Sequence, residues 1–205
     1  MLNKVIIATL LCIQFLLTAC TPIKTPDSNQ YKLEAFNAKK FTNKKTGLSI
    51  LISQPEAMAG YQTEQMLYIQ KPYEITAFAH NTWISSPANM LYPLIMQSLQ
   101  KTGYFYAVAS GPYVDKADYR LDTQVIALQQ NFIPKPSVIE LVVKAVLTHI
   151  EDNRVVSSRI INERVNCPIQ TPYGGVIAAN RAAQAFTATL SKFVVDQVNH
   201  DQRHG

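Results

Sequence analysis

Between Val138 and Ile150, apolar side chains recur at every second residue: Ile139, Leu141, Val143, Ala145 and Leu147. Successive strand residues point to opposite faces, so this run reads as a strand with one wholly apolar face. The other face carries Glu140, Val142, Lys144, Val146 and Thr148 and is partly polar, so it is solvated or covered by a partner. A second long alternating segment precedes it, from Tyr119 to about Phe132. There Leu121, Thr123, Val125 and Ala127 oppose Asp122, Gln124, Ile126 and Leu128. A third runs from Val155 to Asn166. Pro134-Lys-Pro136 and Glu151-Asp-Asn-Arg154 are turns between them. Three long strands joined by short turns form an antiparallel meander, and everything else must pack against it.

The shorter elements follow from the same reading. Leu48 to Ile52, Gln65 to Gln70 and Tyr73 to Phe78 read as strands, with the last two joined as a hairpin through Lys71-Pro72. Phe105 to Ala109 reads as a fourth. The clearest helix lies between them. Ser85 or Ser86 can cap it, Pro87 suits a first helical position that needs no N–H, and Leu91, Leu94, Ile95 and Leu99 share one face. Lys101 suits its C-terminal end and Gly103 its stop, while Pro93 predicts a kink in the second turn. A second helix opens at Thr171-Pro172 and runs to about Val198, with Val176, Ala179, Ala183, Phe186, Leu190, Phe193 and Val194 as its apolar stripe. The order β-β-β-α-β-β-β-β-α predicts an α+β domain: a mixed, largely antiparallel sheet with two helices packed on one face. The 205 residues are 47% hydrophobic and 16% charged, enough apolar material for one buried core.

The first 19 residues have the form of a lipoprotein signal peptide. Lys4 precedes an apolar run of 13 residues, Val5 to Leu17. That is shorter than the ~20 residues a bilayer span requires, and it has the proportions of a secretory signal core. Leu17-Thr-Ala-Cys20 then resembles the bacterial lipobox, which implies cleavage between Ala19 and Cys20 and lipidation of Cys20 by palmitate-type acyl chains. Thr21, rather than Asp, after the cysteine favours sorting to the outer membrane by the enterobacterial pattern. Residues 20–46 are polar and rich in Lys, Asn and Thr, and read as the lipidated N-terminus and a tether. The domain proper is expected over 47–198, and 199–205 as a polar tail.

No catalytic constellation stands out. Cys12 leaves with the signal and Cys20 is lipidated, so Cys167 is left without a disulfide partner and reads as a buried structural thiol. His80, His149, His200 and His204 show no metal-ligand spacing on a confident element, so no metal or cofactor is expected. His80 with Ser85 or Ser86 could form a hydrolytic site only with Glu74 in support; the serines are better accounted for as helix caps and Trp83 as a packing anchor. The net charge of +5 is scattered along the chain, which argues against nucleic-acid binding. The chain reads as a non-enzyme.

The segment Pro72-Tyr-Glu-Ile-Thr-Ala-Phe-Ala-His-Asn-Thr-Trp-Ile-Ser-Ser-Pro87, followed by a leucine helix and Gly103-Tyr-Phe105, resembles the ABC-type transport auxiliary lipoprotein family. The pattern rests on Tyr73, Trp83, Pro87, Leu91, Leu99, Gly103 and Phe105, and the likeness extends over about Leu48 to Val198. The chain departs from it at Asn81-Thr82, Ile84 and Pro93. The resemblance implies a non-enzymatic lipoprotein of the Gram-negative outer membrane, facing the periplasm. Its partner would be the periplasmic MCE-domain protein of an ABC-type phospholipid transport system, with homo-oligomerisation left open. The docking surface would be a sheet edge or the half-apolar face of Glu140, Val142, Lys144 and Val146. The alternative is an envelope-biogenesis lipoprotein that binds another outer-membrane protein or lipopolysaccharide; permease, ATPase and MCE genes alongside would favour the first reading.

Overall fold

The computed structural model describes residues 28–111 and 117–204. It contains nine strands in one sheet and two helices. Strands β1 (Asn29–Tyr31), β2 (Ser49–Ile52), β3 (Glu56–Ala57), β4 (Gln65–Ile69) and β5 (Thr76–Trp83) precede helix α1 (Pro87–Lys101). Then come β6 (Ala107–Ser110), β7 (Tyr119–Asn131), β8 (Val138–His149), β9 (Arg154–Asn166) and helix α2 (Pro172–His204).

The meander β7–β8–β9 is antiparallel throughout, and its two long ladders make the sheet largely antiparallel by length. Strand β7 organises the rest. One edge of it pairs with β8, and the other is filled by three successive parallel pieces, β2, β3 and β4. Strand β6 extends the sheet beyond β2; β5 and then β1 extend it beyond β4. The predicted four strands after α1 are all present, and the predicted three before it are joined by the short β1 and β3.

Alternation decides which side chains enter the core. Ile139, Leu141, Val143, Ala145 and Leu147 are all buried. In β7 the phase changes midway, because a register shift between Val125 and Ala127 inserts an extra residue. Leu128 is therefore buried and Ala127 is not, the reverse of an unbroken alternation. Both helices cover the same face. Helix α1 buries Leu91, Leu94, Ile95 and Leu99, and α2 lays Ala179, Ala182, Ala183, Phe186 and Leu190 on β8 and β9. Their mutual contact holds a buried hydroxyl pair, Ser98 Oγ and Ser191 Oγ, 2.8 Å apart.

Three boundaries differ from the expectation, while helix α1 keeps the bounds expected of it. Strand β5 starts at Thr76, not Tyr73, and continues through His80 to Trp83. Tyr73 stands in the preceding turn at φ 66°, and the second half of β5, Ala79-His-Asn-Thr82, offers no apolar alternation to mark it as strand. Helix α1 continues through Pro93 to Lys101, so the proline does not end it. The stretch read as a tether is docked from Asn29 onward. The Asn180 side chain accepts from the N–H groups of Glu34 and Ala35 and donates to the Lys32 carbonyl. The N–H groups of Phe41 and Thr42 donate to the Thr102 carbonyl. Leu33 is buried, with Phe36 and Phe41 packed on the core; three apolar anchors spaced through a polar segment leave its composition tether-like. The predicted polar tail, finally, is the last turn of α2, held by a buried Asp201.

Candidate functional site

The face of the sheet away from the helices is open. The cross-strand register sets Lys144 between Gln124 of β7 and Ile160 of β9, Val142 between Ala127 and Asn162, and Val146 between Asp122 and Ser158. Glu140 lies between Gln129 and Arg164 at one end of the row. Glu140, Val142, Lys144 and Val146 thus share one surface, as alternation requires. The sequence reading missed Ile160, which is 61% exposed beside Lys144. Adjacent Ile160 and Ile161 hide the phase of β9, and only the ladder with β8 shows that Ile161 takes the core side.

The two ends of this row differ electrostatically. Glu140 accepts hydrogen bonds from Gln129 Nε2 at 3.0 Å and Asn131 Nδ2 at 3.1 Å, with Arg164 at 3.8 Å. Gln129 Oε1 in turn accepts from the Tyr61 hydroxyl at 2.6 Å. Burial, and then the Glu140 charge, push the Tyr61 phenol above its ordinary value. That end is a fixed polar ladder. Lys144, by contrast, is exposed and forms no ion pair among the described residues. It borders a groove of about 290 Å³ that also takes in Gln54, Glu56, Asp122, Gln124 and Val146. The arrangement can present a free cation and two short apolar side chains to a docking partner.

The residues weighed for hydrolysis do not meet. Ser86 Oγ accepts from the Asn89 N–H at the start of α1 and Ser85 Oγ from Asn89 Nδ2, while Glu74 pairs with Lys71 at 3.6 Å. His80 is exposed on β5. Trp83, Pro87, Leu91, Leu99 and Phe105 are buried. Gly103 sits at φ 71°, where an added Cβ would lie 2.7 Å from the Thr42 carbonyl oxygen. Tyr73 is the exception among the pattern residues: its side chain is fully exposed. The Cys167 thiol is buried; burial raises its pKa, partly countered by hydrogen bonds with Ser137 and Gln130.

A charged cluster that sequence reading did not foresee closes the opposite end of the meander. Asp201 Oδ2 accepts from the buried Tyr119 hydroxyl at 2.9 Å, and Asp201 Oδ1 pairs with Arg154 at 2.8 Å. Arg154 also holds Asp152, which meets His149 Nδ1 at 2.9 Å. The His149 hydrogen bond is the main cause holding Asp152 down at about 2. Burial pushes Asp201 upward, but the Arg154 and Tyr119 contacts outweigh it and hold the carboxyl below its ordinary value. Burial drives the Tyr119 phenol up to about 12. These residues come from three distant segments, so no local motif announces them.

Among the described residues there is no group of three or more side chains able to hold a metal ion, and no helix is long and apolar enough to cross a membrane. Ala19 and Cys20, the cleavage and lipidation positions, lie outside the described residues.

The fold is shared with known structures. Protein XCC0632 from Xanthomonas campestris superposes with a TM-score of 0.73 at 17% identity, covering 85% of this chain and 98% of its own. A second solved protein gives 0.66 at 14% identity, covering 82% and 99% respectively. The hypothetical protein CT253 from Chlamydia trachomatis gives 0.50 at 9% identity, covering 73% and 98%. No curated protein shows significant sequence similarity to the chain. The sequence model of the ABC-type transport auxiliary lipoprotein component matches residues 31–191, from the end of β1 to just past the middle of α2. The chain belongs to the ABC-type transport auxiliary lipoprotein family.

Proposed function

We propose that this protein is a non-enzymatic, lipid-anchored docking component of an intermembrane phospholipid transport system. It is held in the outer membrane through Cys20 and receives the periplasmic MCE-domain protein on the open face of its sheet. The observation that carries this reading is an uncovered sheet face in a family of transport auxiliary lipoproteins: both helices pack on one side and leave Val142, Lys144, Val146 and Ile160 to a partner. Thr21 after the cysteine supports the outer membrane as its place. The serines beside His80 cap a helix, and that supports a binding role over a hydrolytic one.

Co-purification of the full-length, detergent-solubilised chain with an MCE-domain protein from the same genome tests the reading. Lys144→Glu combined with Ile160→Asp changes only exposed side chains and should weaken capture about tenfold, the equivalent of ~1.4 kcal/mol. If the wild-type chain captures nothing even after crosslinking, the transport reading fails. Capture of a different outer-membrane protein or of lipopolysaccharide would favour an envelope-assembly role.

A further inference from the structure

The two ends of the sheet differ sharply in polarity. One end collects the β4–β5 turn, the β7–β8 turn and the β9–α2 loop, because β4 and β7 run parallel toward it and Val138 of β8 pairs with Asn166 of β9 there. It carries Tyr73, Ile75, Ile133, Ile169 and Tyr173, half of the ten large exposed hydrophobic residues described. Tyr73 is fully exposed and is held at φ 66°, a left-handed backbone conformation that is unfavourable for an aromatic residue. The charges on these three connections are Lys71, its partner Glu74, and Lys135. The opposite end carries the charged cluster of Asp118, His149, Asp152, Arg154 and Asp201, with Tyr106 and Val155 as its exposed large hydrophobic residues.

The chain arrives from the apolar end. Strand β1 runs parallel to β5, with Asn29 opposite Asn81 and Tyr31 opposite Trp83, and β5 itself starts at the β4–β5 turn. The direction of approach therefore points back toward Tyr73 and Ile75. Seven residues, 21–27, separate Cys20 from Ser28. At ~3.3–3.6 Å per step, the eight steps from Cys20 to Ser28 reach at most about 29 Å. A lipid on Cys20 would thus hold the domain within about its own diameter of the bilayer.

We propose that this end of the domain rests on the bilayer that carries the lipid anchor, with Tyr73, Ile75, Ile133 and Ile169 in its headgroup layer. Tyrosine suits that layer because its ring is apolar and its hydroxyl stays wet, and Lys71 and Lys135 can extend to lipid phosphates. The inference rests on the lipid-anchored reading given above. Its consequence is an orientation: the strands stand upright on the membrane, the ionic end faces the periplasm, and the open sheet face looks sideways.

The test uses the full, lipid-modified chain in phosphatidylethanolamine–phosphatidylglycerol vesicles. Tyr73→Trp is compared with Tyr106→Trp, which lies at the ionic end because Ala107 pairs at the level of Ser49 and Tyr119. Trp83 is buried and contributes the same background to both. With brominated acyl chains, the Tyr73→Trp protein should shift its emission to the blue and lose up to about half of it, since one indole of two meets the interface. The Tyr106→Trp protein should be unaffected. Sedimentation with vesicles, abolished by Cys20→Ser, reports the anchor separately. A chain that never sediments overturns both readings. An anchored chain whose Tyr73→Trp indole is unquenched, or answers only to added MCE protein, overturns this proposal and leaves the anchor standing.

Discussion

Asp201→Ala is the substitution that most directly tests how the C-terminal turn of α2 is held. The carboxylate is 7% exposed and takes a hydrogen bond from the fully buried Tyr119 hydroxyl at 2.9 Å. A hydrogen bond to a buried charged group contributes ~1.5–3 kcal/mol. The Arg154 contact at 2.8 Å adds less, because the arginine is 45% exposed and an exposed pair is worth ~0–1 kcal/mol. Two terms oppose: an acidic residue at a helix C-terminus is unfavourable by ~0.3–1 kcal/mol, and alanine is the better helix former. Tyr119 also keeps its contact with Gln202 Nε2 at 2.9 Å. The net expected loss is about 1.5–3 kcal/mol, read as a lower urea midpoint and a Tm reduced by roughly 4–10 °C for a domain of this size. Asp201→Asn keeps an acceptor oxygen and should fall between. The sign with pH follows from the depressed carboxyl. Its stabilisation is fully present above the unfolded value near ~4 and is lost as pH falls through the lower folded value. The gap between wild type and Asp201→Asn should therefore close in acid. A loss below ~0.5 kcal/mol for Asp201→Ala at neutral pH, within the ordinary range of a surface change, would refute the reasoning.

Gly103→Ala places a Cβ at positive φ and 2.7 Å from the Thr42 carbonyl oxygen, so it should cost about 1–3 kcal/mol, measured by the same urea titration. Ser86→Ala removes the cap of α1; the 3.4 Å contact is long, and the loss should sit near the low end of the ~0.5–2 kcal/mol range, with capture of the MCE protein unchanged. Acid unfolding of the wild type should steepen between about pH 4 and pH 2, where Asp152, held at about 2, also loses its contacts with His149 and Arg154.

The meander was legible because burial on one face forces a period of two, and a strand as long as β8 repeats that signal often enough to be unambiguous. The helices were legible for the same reason at a period of 3.6, reinforced by Pro87 and Gly103 at their expected stations. Three things were not. The parallel ladders of β2, β3 and β4 on β7 each span only two or three residue pairs, too few for alternation to speak. The strap from Lys32 to Thr42 is fixed by backbone groups donating to Asn180, Thr187 and Thr102, partners more than 50 residues away, and nothing local encodes that. The bulge at Val125–Ala127 inverts half of β7 without a glycine or proline to mark it.

The candidate site divides along the same line. Glu140, Val142, Lys144 and Val146 could be placed on one face because they share a strand, whereas Ile160 needed the register of its neighbour. The apolar end lies further still from any sequence window. Tyr73, Ile75, Ile133 and Ile169 come from three connections and Tyr173 from the first turn of α2, spread over a hundred residues, and each alone is an ordinary exposed residue. Only the common direction of β4 and β7, and the return of β9, gathers them. The same directions carry Tyr119 and Arg154, the partners of Asp201, to the far end. The topology thus sets apolar turns at one end and an ionic cluster at the other, with an open sheet face between them, and the upright orientation proposed above is that polarity set on a bilayer.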